Sequence, residues 1–190
     1  EVPDERLKLL AQAEKSEKII PTAIEFVDIA GLVKGAHKGE GLGNKFLSNI
    51  REVNMIVHVV RAFENVDVHH VEGNIDPLRD VETIEIELAM ADIGSVEKRL
   101  ALVQGKMKAG KTKEMEYEEA ALKRIFEVLE KGHMANTVEL SDDEEKTLKD
   151  FALLTRKPIL YVVNVDETTA GYPNWKSPLG PDRLALPLSI

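Results

Sequence analysis

Two runs of consecutive apolar residues constrain the fold of this chain more than any other feature. The runs are Met55 to Val60 and Ile159 to Val163, and neither contains a Lys, Arg, Asp or Glu. Such runs are typical of strands that are buried on both faces of a parallel sheet. Two further strands are predicted, one from Ile24 to Ile29, which ends before Ala30-Gly31, and a weak one from Leu184 to Leu188.

The long stretch between the two apolar runs has the periodicity of helices. Its apolar residues are spaced alternately three and four apart, which is a heptad seam. The seam consists of Ile86, Ala89, Ile93, Val96, Leu100, Val103 and Met107, and it continues after Gly110, with one gap at Glu118, through Met115, Leu122, Ile125 and Leu129. Two such segments around a turn rich in Gly and Lys predict an antiparallel helical hairpin.

Shorter helices are predicted on either side of this hairpin. One covers residues 3–14 and another Asn44 to Glu52. Ser141 and Glu144 form a capping box that opens one more helix, which Pro158 bounds. Strands and helices therefore alternate, and the expected fold class is α/β, with a helical hairpin inserted between two α/β pieces. The predicted divisions are residues 1–80, 81–137 and 138–190.

The composition limits the classes of function. With 25 Lys+Arg and 34 Asp+Glu in 190 residues, the formal charge is −9, which argues against a DNA-coating role, although a local basic patch could bind RNA. The chain has no Cys, which excludes thiolate catalysis and Cys-ligated zinc and fits a cytoplasmic location. No apolar run approaches the roughly 20 residues that a membrane helix needs, so no membrane partner is expected.

Residues Gly105 to Thr112 match the pattern G-x-x-x-x-G-K-[ST] of a phosphate-binding loop at every specified position. Such a loop must follow a buried strand, whereas Val96 to Val103 continues the heptad seam. We therefore interpret the match as the solvent-exposed turn of the helical hairpin. A genuine phosphate-binding loop is the alternative, and it requires a strand at Leu100 to Gln104. On the first interpretation the turn carries a basic cluster that could bind RNA phosphates, formed by Lys106, Lys108, Lys111 and Lys113.

Asp28-Ile29-Ala30-Gly31 is the first motif that suggests chemistry. A carboxylate at the carboxyl end of a parallel strand faces the crevice where such sheets bind ligands. Asp28 could there hold the water shell of Mg²⁺, and the Gly31 N–H could meet a terminal phosphate without a side chain in the way. Phosphoryl transfer needs this positioning and charge neutralisation. The structural alternative for Asp28 is a cap or turn residue.

Asn164-Val165-Asp166-Glu167 follows the second apolar run, at the same predicted edge of the sheet. An Asn amide can bridge a purine ring and the neighbouring backbone, and a carboxylate three residues on can accept hydrogen bonds from base N–H groups. The structural alternative for Asn164 is a helix N-cap. Because two carboxylate-bearing strand ends would face one crevice, we predict a nucleotide site there.

Residues Glu25 to Glu52, with their closely spaced glycines, resemble the YchF/Ola1 subfamily of Obg-like P-loop NTPases. Arg61 to Glu64 and Leu153 to Glu167 resemble the same family, so the resemblance covers roughly residues 1 to 167. It implies a partial P-loop NTPase sheet of the G-domain type, with a coiled-coil insertion at the helical hairpin. It also implies nucleoside triphosphate hydrolysis coupled to translation, with ATP or GTP, Mg²⁺, and the ribosome or ribosomal RNA as partners.

The resemblance implies roles for individual residues. Asp28 and Gly31 would face the metal and the γ-phosphate in the second switch, which extends to Gly43. The stretch from Asn164 to Glu167 would be the base-recognition motif Asn-x-x-Glu, which the family associates with use of ATP as well as GTP. Leu32 stands where many GTPases place the Gln that orients the attacking water, so a slow intrinsic hydrolase is implied.

Other positions have weaker support as site residues. His37 lies in the same glycine-rich loop and could act as a base, with a solvent-facing histidine as the alternative. Ser189 could begin the Ser-Ala motif that contacts the base edge, and Val165 completes the predicted nucleotide contacts. His69-His70 lack a third ligand at useful spacing, so we predict no metal site there.

By the same resemblance, the Walker A loop and the first switch of the family would lie before Glu1, because Val2 to Leu7 matches the family just after its second strand. The strand that carries that loop would be central in the sheet. We therefore expect the 190-residue chain by itself to bind nucleotide poorly and not to be a competent NTPase. The alternative function is a non-catalytic module in which the Lys-rich turn binds RNA or protein.

Overall fold

The computed structural model describes residues 1–29, 42–63 and 75–190. It separates into two compact units, residues 1–30 and residues 31–190. In the first unit, helix α1 (Arg6–Glu14) follows Asp4, whose carboxylate accepts a hydrogen bond from the Arg6 N–H at 3.0 Å. The helix ends at Lys15, which has the left-handed backbone conformation (φ 49°) common at helix C-termini. The predicted short helix is confirmed, although α1 has no buried residue.

The predicted strand from Ile24 to Ile29 is not formed. Residues 18–29 have no regular secondary structure, and Ile24, Phe26 and Val27 are exposed. A strand is stable only where a neighbour satisfies its backbone N–H and C=O groups. Within the described residues, the only sheet contains three other strands and none of them pairs with this segment. The β-prone composition of the segment therefore led to a wrong prediction.

The second unit contains a parallel three-stranded sheet, counted over the described residues. Its strands are, in spatial order, β1 (Ile56–Arg61), β2 (Ile159–Asn164) and β3 (Ala185–Leu188). In the observed register Arg61, Asn164 and Leu188 lie side by side. Three of the four predicted strands are thus confirmed, and their carboxyl ends share one edge of the sheet.

One face of this sheet is covered by the first part of helix α3 (Pro77–Met107). Val60, Tyr161 and Val163 on that face form a core with Val81 of α3. Four apolar residues of the opposite face are between 40 and 55% exposed, namely Val57, Val59, Leu186 and Leu188, whereas Val162 of the central strand is 8% exposed. The sheet therefore has one buried and one partly exposed face within the part of the chain that the structure describes.

A second core lies among the helices. The later part of α3 packs against α4 (Lys113–Glu130), and α4 packs against α5 (Asp142–Leu148). The seam residues Ala89, Val96, Val103, Leu122, Ile125 and Leu129 are buried in this core as predicted. Ile86 is 54% exposed and lies off the seam, because it is on the part of α3 that precedes the helical core.

The capping box that opens α5 is present. The Ser141 hydroxyl accepts a hydrogen bond from the Glu144 N–H, and the Glu144 carboxylate accepts one from the Ser141 N–H at 2.8 Å. The helix ends at Leu148, well before the predicted limit at Pro158, and a 3₁₀ helix follows at Leu154–Arg156.

Asp92 of α3 fixes this 3₁₀ helix. Its side chain is fully buried and accepts hydrogen bonds from the N–H groups of Leu154 (3.1 Å) and Thr155 (2.8 Å) and from the Thr155 hydroxyl (2.7 Å). Burial raises the pKa of Asp92, while these hydrogen bonds and the charge of Arg51 act in the opposite direction. One carboxylate thus joins α3 to the segment that leads into β2.

Helix α2 (Leu42–Glu52) is also tied to this region. Arg51, in its last turn, donates to the Ala152 carbonyl at 2.7 Å and to the Ser95 hydroxyl at 3.0 Å. The predicted helix at Asn44 to Glu52 is confirmed. No helix in the described ranges combines the length and the apolar character that crossing a membrane requires.

Candidate nucleotide-binding site

The candidate site is at the shared carboxyl edge of β2 and β3, where Asn164 ends β2. The Asn164 Oδ1 atom accepts a hydrogen bond from the Ile190 N–H at 3.2 Å. The Asn164 carbonyl accepts from the Ala62 N–H at 2.8 Å, and the Val165 N–H donates to the Leu188 carbonyl at 2.9 Å. Within the described residues, the Asn164 Nδ2 donates to no protein acceptor, so its two N–H groups are available to a ligand.

Asp166 holds the turn that follows. It is the N-cap of the short helix α6 (Glu167–Ala170), and its carboxylate accepts from the Thr169 N–H at 2.9 Å and from the Thr168 and Thr169 hydroxyls. Hydrogen bonds from the Thr168 side chain and from Thr169 lower the pKa of Asp166 to about 2. The helix N-cap predicted as the structural alternative for Asn164 is therefore Asp166 instead, and no described residue accepts a hydrogen bond from the Asn164 amide nitrogen.

The neighbours of these two residues differ in exposure. Val165 is buried, and its contribution to a site is limited to the backbone. Glu167, at the start of α6, is exposed, and among the described residues its carboxylate accepts no hydrogen bond. Ser189 is exposed and directly precedes Ile190, the residue whose N–H reaches Asn164. The structure thus brings Asn164 and Ser189 to one edge of the sheet, with Glu167 one turn away along the chain.

The remaining predicted site residues belong to the first unit or lie outside the described residues. Asp28 is exposed at the end of the irregular segment in the first unit. Gly31, Leu32, His37 and the pair His69-His70 lie outside the described residues. Among the residues that are described, no cluster of three or more His, Cys, Asp or Glu side chains could hold a metal ion.

The phosphate-binding-loop pattern is part of a helix–turn–helix segment. Leu100 to Gln104 is helical, and α3 continues to Met107. The Thr112 hydroxyl, which a Walker A loop would use for Mg²⁺, instead caps α4 by accepting from the Met115 N–H at 3.3 Å. The alternative that required a strand at this point is wrong. The four lysines of the turn, Lys106, Lys108, Lys111 and Lys113, are all exposed.

A polar network that the sequence did not reveal is centred on Tyr161, three residues before Asn164 on β2. Glu85 of α3 accepts a hydrogen bond from the Tyr161 hydroxyl at 2.6 Å and forms a two-bond ion pair with the Arg183 guanidinium. The Tyr161 ring lies 5.7 Å from the His58 ring, and burial lowers the pKa of His58. Glu85 and Arg183 are 98 residues apart and belong to no local motif, so no sequence signal could have paired them.

Known proteins resemble this chain in sequence. The family described as 50S ribosome-binding GTPase matches residues 10–90. The protein named Ribosome-binding ATPase YchF from Haemophilus influenzae is 51% identical over 166 residues, which are 87% of this chain and 46% of that protein. The protein of the same name from Bacillus subtilis is 49% identical over 174 residues, 92% of this chain and 47% of that protein. The chain thus spans about half the length of the curated relatives it matches.

A solved structure gives the same result at the level of the fold. The structure of the Schizosaccharomyces pombe YchF GTPase matches with a TM-score of 0.73 and 36% sequence identity, over 99% of this chain and 53% of that one. This likeness confirms the predicted α/β class with a parallel sheet. The chain belongs to the YchF subfamily of Obg-like P-loop NTPases.

Proposed function

We propose that Asn164, Glu167 and Ser189 hold the base of ATP or GTP in an NTPase whose hydrolysis is coupled to ribosome binding. The observation that carries the proposal is the Asn164 amide, whose oxygen is fixed by the Ile190 N–H while its nitrogen is free to donate. The names of the relatives, which combine ribosome binding with ATPase activity, support the same function.

The proposed contacts follow from the donor and acceptor types. The Asn164 Nδ2 would donate to an acceptor on the purine ring, and the exposed Glu167 carboxylate would accept from base N–H groups. The Asn-x-x-Glu spacing lacks the pair of acceptors by which GTPases select guanine, which supports use of ATP beside GTP. The Ser189 hydroxyl would add a contact at the base edge.

Mg²⁺ is proposed to be shared between the phosphates and Asp28. The exposed, single carboxylate of Asp28 fits this ion, because Mg²⁺ keeps several waters and uses one or two carboxylates beside substrate phosphates. The ion would neutralise negative charge on the phosphates. Gly31 would lie near the γ-phosphate, and Leu32 cannot orient a water molecule by hydrogen bonding, which supports a slow intrinsic rate.

We further propose that residues 81–137 form an antiparallel coiled-coil insertion between 1–80 and 138–190. The turn between α3 and α4 is short, and short connections favour antiparallel neighbours. Two polar contacts join the helices: Arg99 pairs with Glu118 at 2.5 Å, and the Gln104 amide donates to Glu119 at 2.9 Å.

A nucleotide titration with an Asn164→Ala variant tests the proposed base contact. The protein would be a chimera in which this chain replaces the matching half of the Bacillus subtilis relative. Loss of a buried hydrogen bond of about 1.4 kcal/mol is expected to raise the Kd for Mg·ATP about tenfold. The Kd for inorganic triphosphate should not change, because it has no base. Isothermal titration calorimetry measures both constants.

Two controls make this titration decisive. Asp150→Ala, an exposed acidic residue away from the site, should leave both Kd values unchanged. Equal affinity of Asn164→Ala and the parent chimera for Mg·ATP would contradict the proposal. The 190-residue chain alone should show no micromolar affinity, because its only phosphate-binding-loop pattern is the helical turn at Gly105–Thr112. Micromolar binding of Mg·ATP by the 190-residue chain alone would contradict this expectation.

The alternative function, RNA binding through the Lys-rich turn, is favoured by one observation. Residues 106–113 carry four exposed lysines and no acidic residue, on a chain with a net charge of −9. Lysines that neutralise phosphates give binding a strong salt dependence.

We expect Lys108→Glu with Lys111→Glu to weaken binding of ribosomal RNA at least tenfold at about 0.1 M salt. The plot of log K against log salt should also become shallower, which a filter-binding assay at several salt concentrations measures. The matched control, Lys8→Glu with Lys18→Glu, reverses two exposed lysines of the first unit and should have little effect. Equal losses in the two double variants would show a general charge effect and contradict binding through the turn.

A further inference from the structure

Three elements of the second unit meet at the Glu85 carboxylate. Arg183, two residues before β3, donates from Nε to Glu85 Oε1 at 2.9 Å and from Nη2 to Oε2 at 2.8 Å. Its Nη1 donates to the Leu179 carbonyl at 2.9 Å, and the Tyr161 hydroxyl of β2 donates to Oε1 at 2.6 Å. The Arg183 and Glu85 side chains are 25% and 16% exposed, so the pair is partly shielded from water. Such a two-bond pair fixes direction as well as distance.

The protonation states suit this arrangement. The pKa of Glu85 is lowered, because hydrogen bonds from Arg183 and Tyr161 together with the charge of Arg183 outweigh the burial that would raise it. Burial and the hydrogen bond to Glu85 raise the pKa of Tyr161, and the same carboxylate raises the pKa of Arg183. Near neutral pH the three groups are therefore a carboxylate, a phenol and a guanidinium.

Strand β3 has few other side-chain anchors. Leu184, Leu186 and Leu188 are between 43 and 66% exposed, and its inward residues are the small Ala185 and Pro187, which has no N–H to donate. Backbone bonds hold its ends: the Tyr161 N–H donates to the Leu184 carbonyl and the Val165 N–H to the Leu188 carbonyl, both at 2.9 Å. The Arg183–Glu85 pair thus ties the segment that leads into β3 to α3 through a polar side-chain contact.

The register of β3 decides whether the Asn164 amide is oriented. The Ile190 N–H reaches Asn164 Oδ1 only while Leu188 lies opposite Asn164. A shift by one residue would reverse which face each β3 side chain occupies and would remove this N–H from the amide. Arg183 lies at the start of the strand and Ile190 just beyond its end, so an anchor at one end controls the contact at the other.

We propose that Glu85 is a positioning residue for the candidate base site: through Arg183 it holds β3 in the register that presents the Ile190 N–H to Asn164. The consequence for nucleotide recognition rests on the function proposed above, whereas the register itself does not. Because Glu85 is on α3, the same contact links the base edge to the helix that carries the Lys-rich turn.

Amide hydrogen exchange in the 190-residue chain tests the register without any nucleotide. In Glu85→Gln we expect exchange of the Val165 and Ile190 N–H groups to accelerate at least tenfold, while the Leu122 N–H in α4 changes less than twofold. The NMR signal of the Asn164 side-chain amide should shift together with this faster exchange. A loss of stability without a change in register would not shift that signal. The matched control, Glu118→Gln on α4, removes the ion-pair partner of Arg99 on α3 and should leave the exchange of the Val165 and Ile190 N–H groups unchanged.

The possible results are unambiguous. Unchanged exchange at Val165 and Ile190 would overturn the proposal, as would equal acceleration at Leu122, because that would show a general loss of stability. If Glu85→Gln does not fold, Arg183→Lys decides, since lysine keeps the charge but cannot form the two-bond pair; acceleration confined to Val165 and Ile190 is expected.

A nucleotide arm separates this inference from the proposed function. In the chimera described above, Glu85→Gln should raise the Kd for Mg·ATP severalfold and leave that for inorganic triphosphate unchanged. If the parent chimera binds no nucleotide, the proposed function fails while the exchange result still decides the role of Glu85. Unaltered Mg·ATP affinity in a variant with accelerated exchange would overturn the link to base binding.

Discussion

Replacing Asp28 with Ala is expected to abolish nucleoside triphosphate hydrolysis in the chimera with the Bacillus subtilis relative. The Asp28 carboxylate is proposed to hold the water shell of Mg²⁺, and phosphoryl transfer depends on such charge neutralisation more than on covalent chemistry. The side chain is exposed, so its removal should not destabilise the fold. Release of inorganic phosphate under saturating Mg·ATP measures the effect.

The same irregular segment offers a matched control. Glu25 is also exposed and acidic, and Glu25→Ala removes the same charge three residues away. Its hydrolysis rate should match that of the parent chimera. Hydrolysis by Asp28→Ala at the parent rate would contradict the metal-facing role of Asp28. Under the alternative function, Asp28→Ala would also leave RNA binding unchanged, which distinguishes the two functions in a single variant.

Asp92→Ala is expected to lower the free energy of unfolding by about 3 kcal/mol or more. The change removes the acceptor for two N–H groups and one hydroxyl in a fully buried position, and each unsatisfied group costs about 1–3 kcal/mol. Relief of the cost of burying a charge offsets part of this sum. Urea denaturation followed by circular dichroism and by the fluorescence of Trp175, the chain's single tryptophan, measures the change.

The control for Asp92 lies on the same helix. Glu97 is exposed, and Glu97→Ala should change the free energy of unfolding by less than about 0.5 kcal/mol. Asp92→Asn keeps one oxygen acceptor and should fall between the two. A loss below about 1 kcal/mol for Asp92→Ala would show that water replaces the carboxylate.

The pH dependence provides an independent check on Asp92. Burial holds its pKa above the ordinary 3.8, so the folded chain binds this proton more tightly than the unfolded chain. Its contribution to stability is therefore fully present below pH 3.8 and is lost as the pH rises through the raised pKa. The difference in unfolding free energy between the wild type and Asp92→Asn should grow on acidification, by at most about 1.4 kcal/mol per pH unit.

The sequence predicts those elements whose stability is determined locally or by a regular apolar pattern. The runs that became β1 and β2 are apolar except for His58, and the capping box at Ser141 is a contact between residues three apart. The seam of α3 and α4 is a repeat whose period defines a helix face. The match at Gly105–Thr112 was resolved in the same way, because the helical period continued into it.

The features that the sequence did not reveal depend on distant partners. Ile24 to Ile29 has the composition of a strand, but a strand forms only beside a neighbouring strand, and composition does not show whether one is present. Asp92 and Thr155 are 63 residues apart, and the helix predicted to be bounded by Pro158 ends at Leu148, before the 3₁₀ helix that contains Thr155. At the site, Asn164 was recognisable from its place after a strand, whereas its partner Ile190 could be identified only from the strand register.

The length of α3 gives the helix the geometry of a lever. Its first part covers the sheet and carries Glu85, Asp92 ties it to the segment before β2, and the remainder extends for about 22 Å at 1.5 Å per residue. A rotation of about 10° around Asp92 would therefore displace the basic turn by about 4 Å. The same rotation would move Glu85, about 10 Å along the helix on the other side of Asp92, by about 2 Å, so the basic turn would move about twice as far as the end that contacts the sheet.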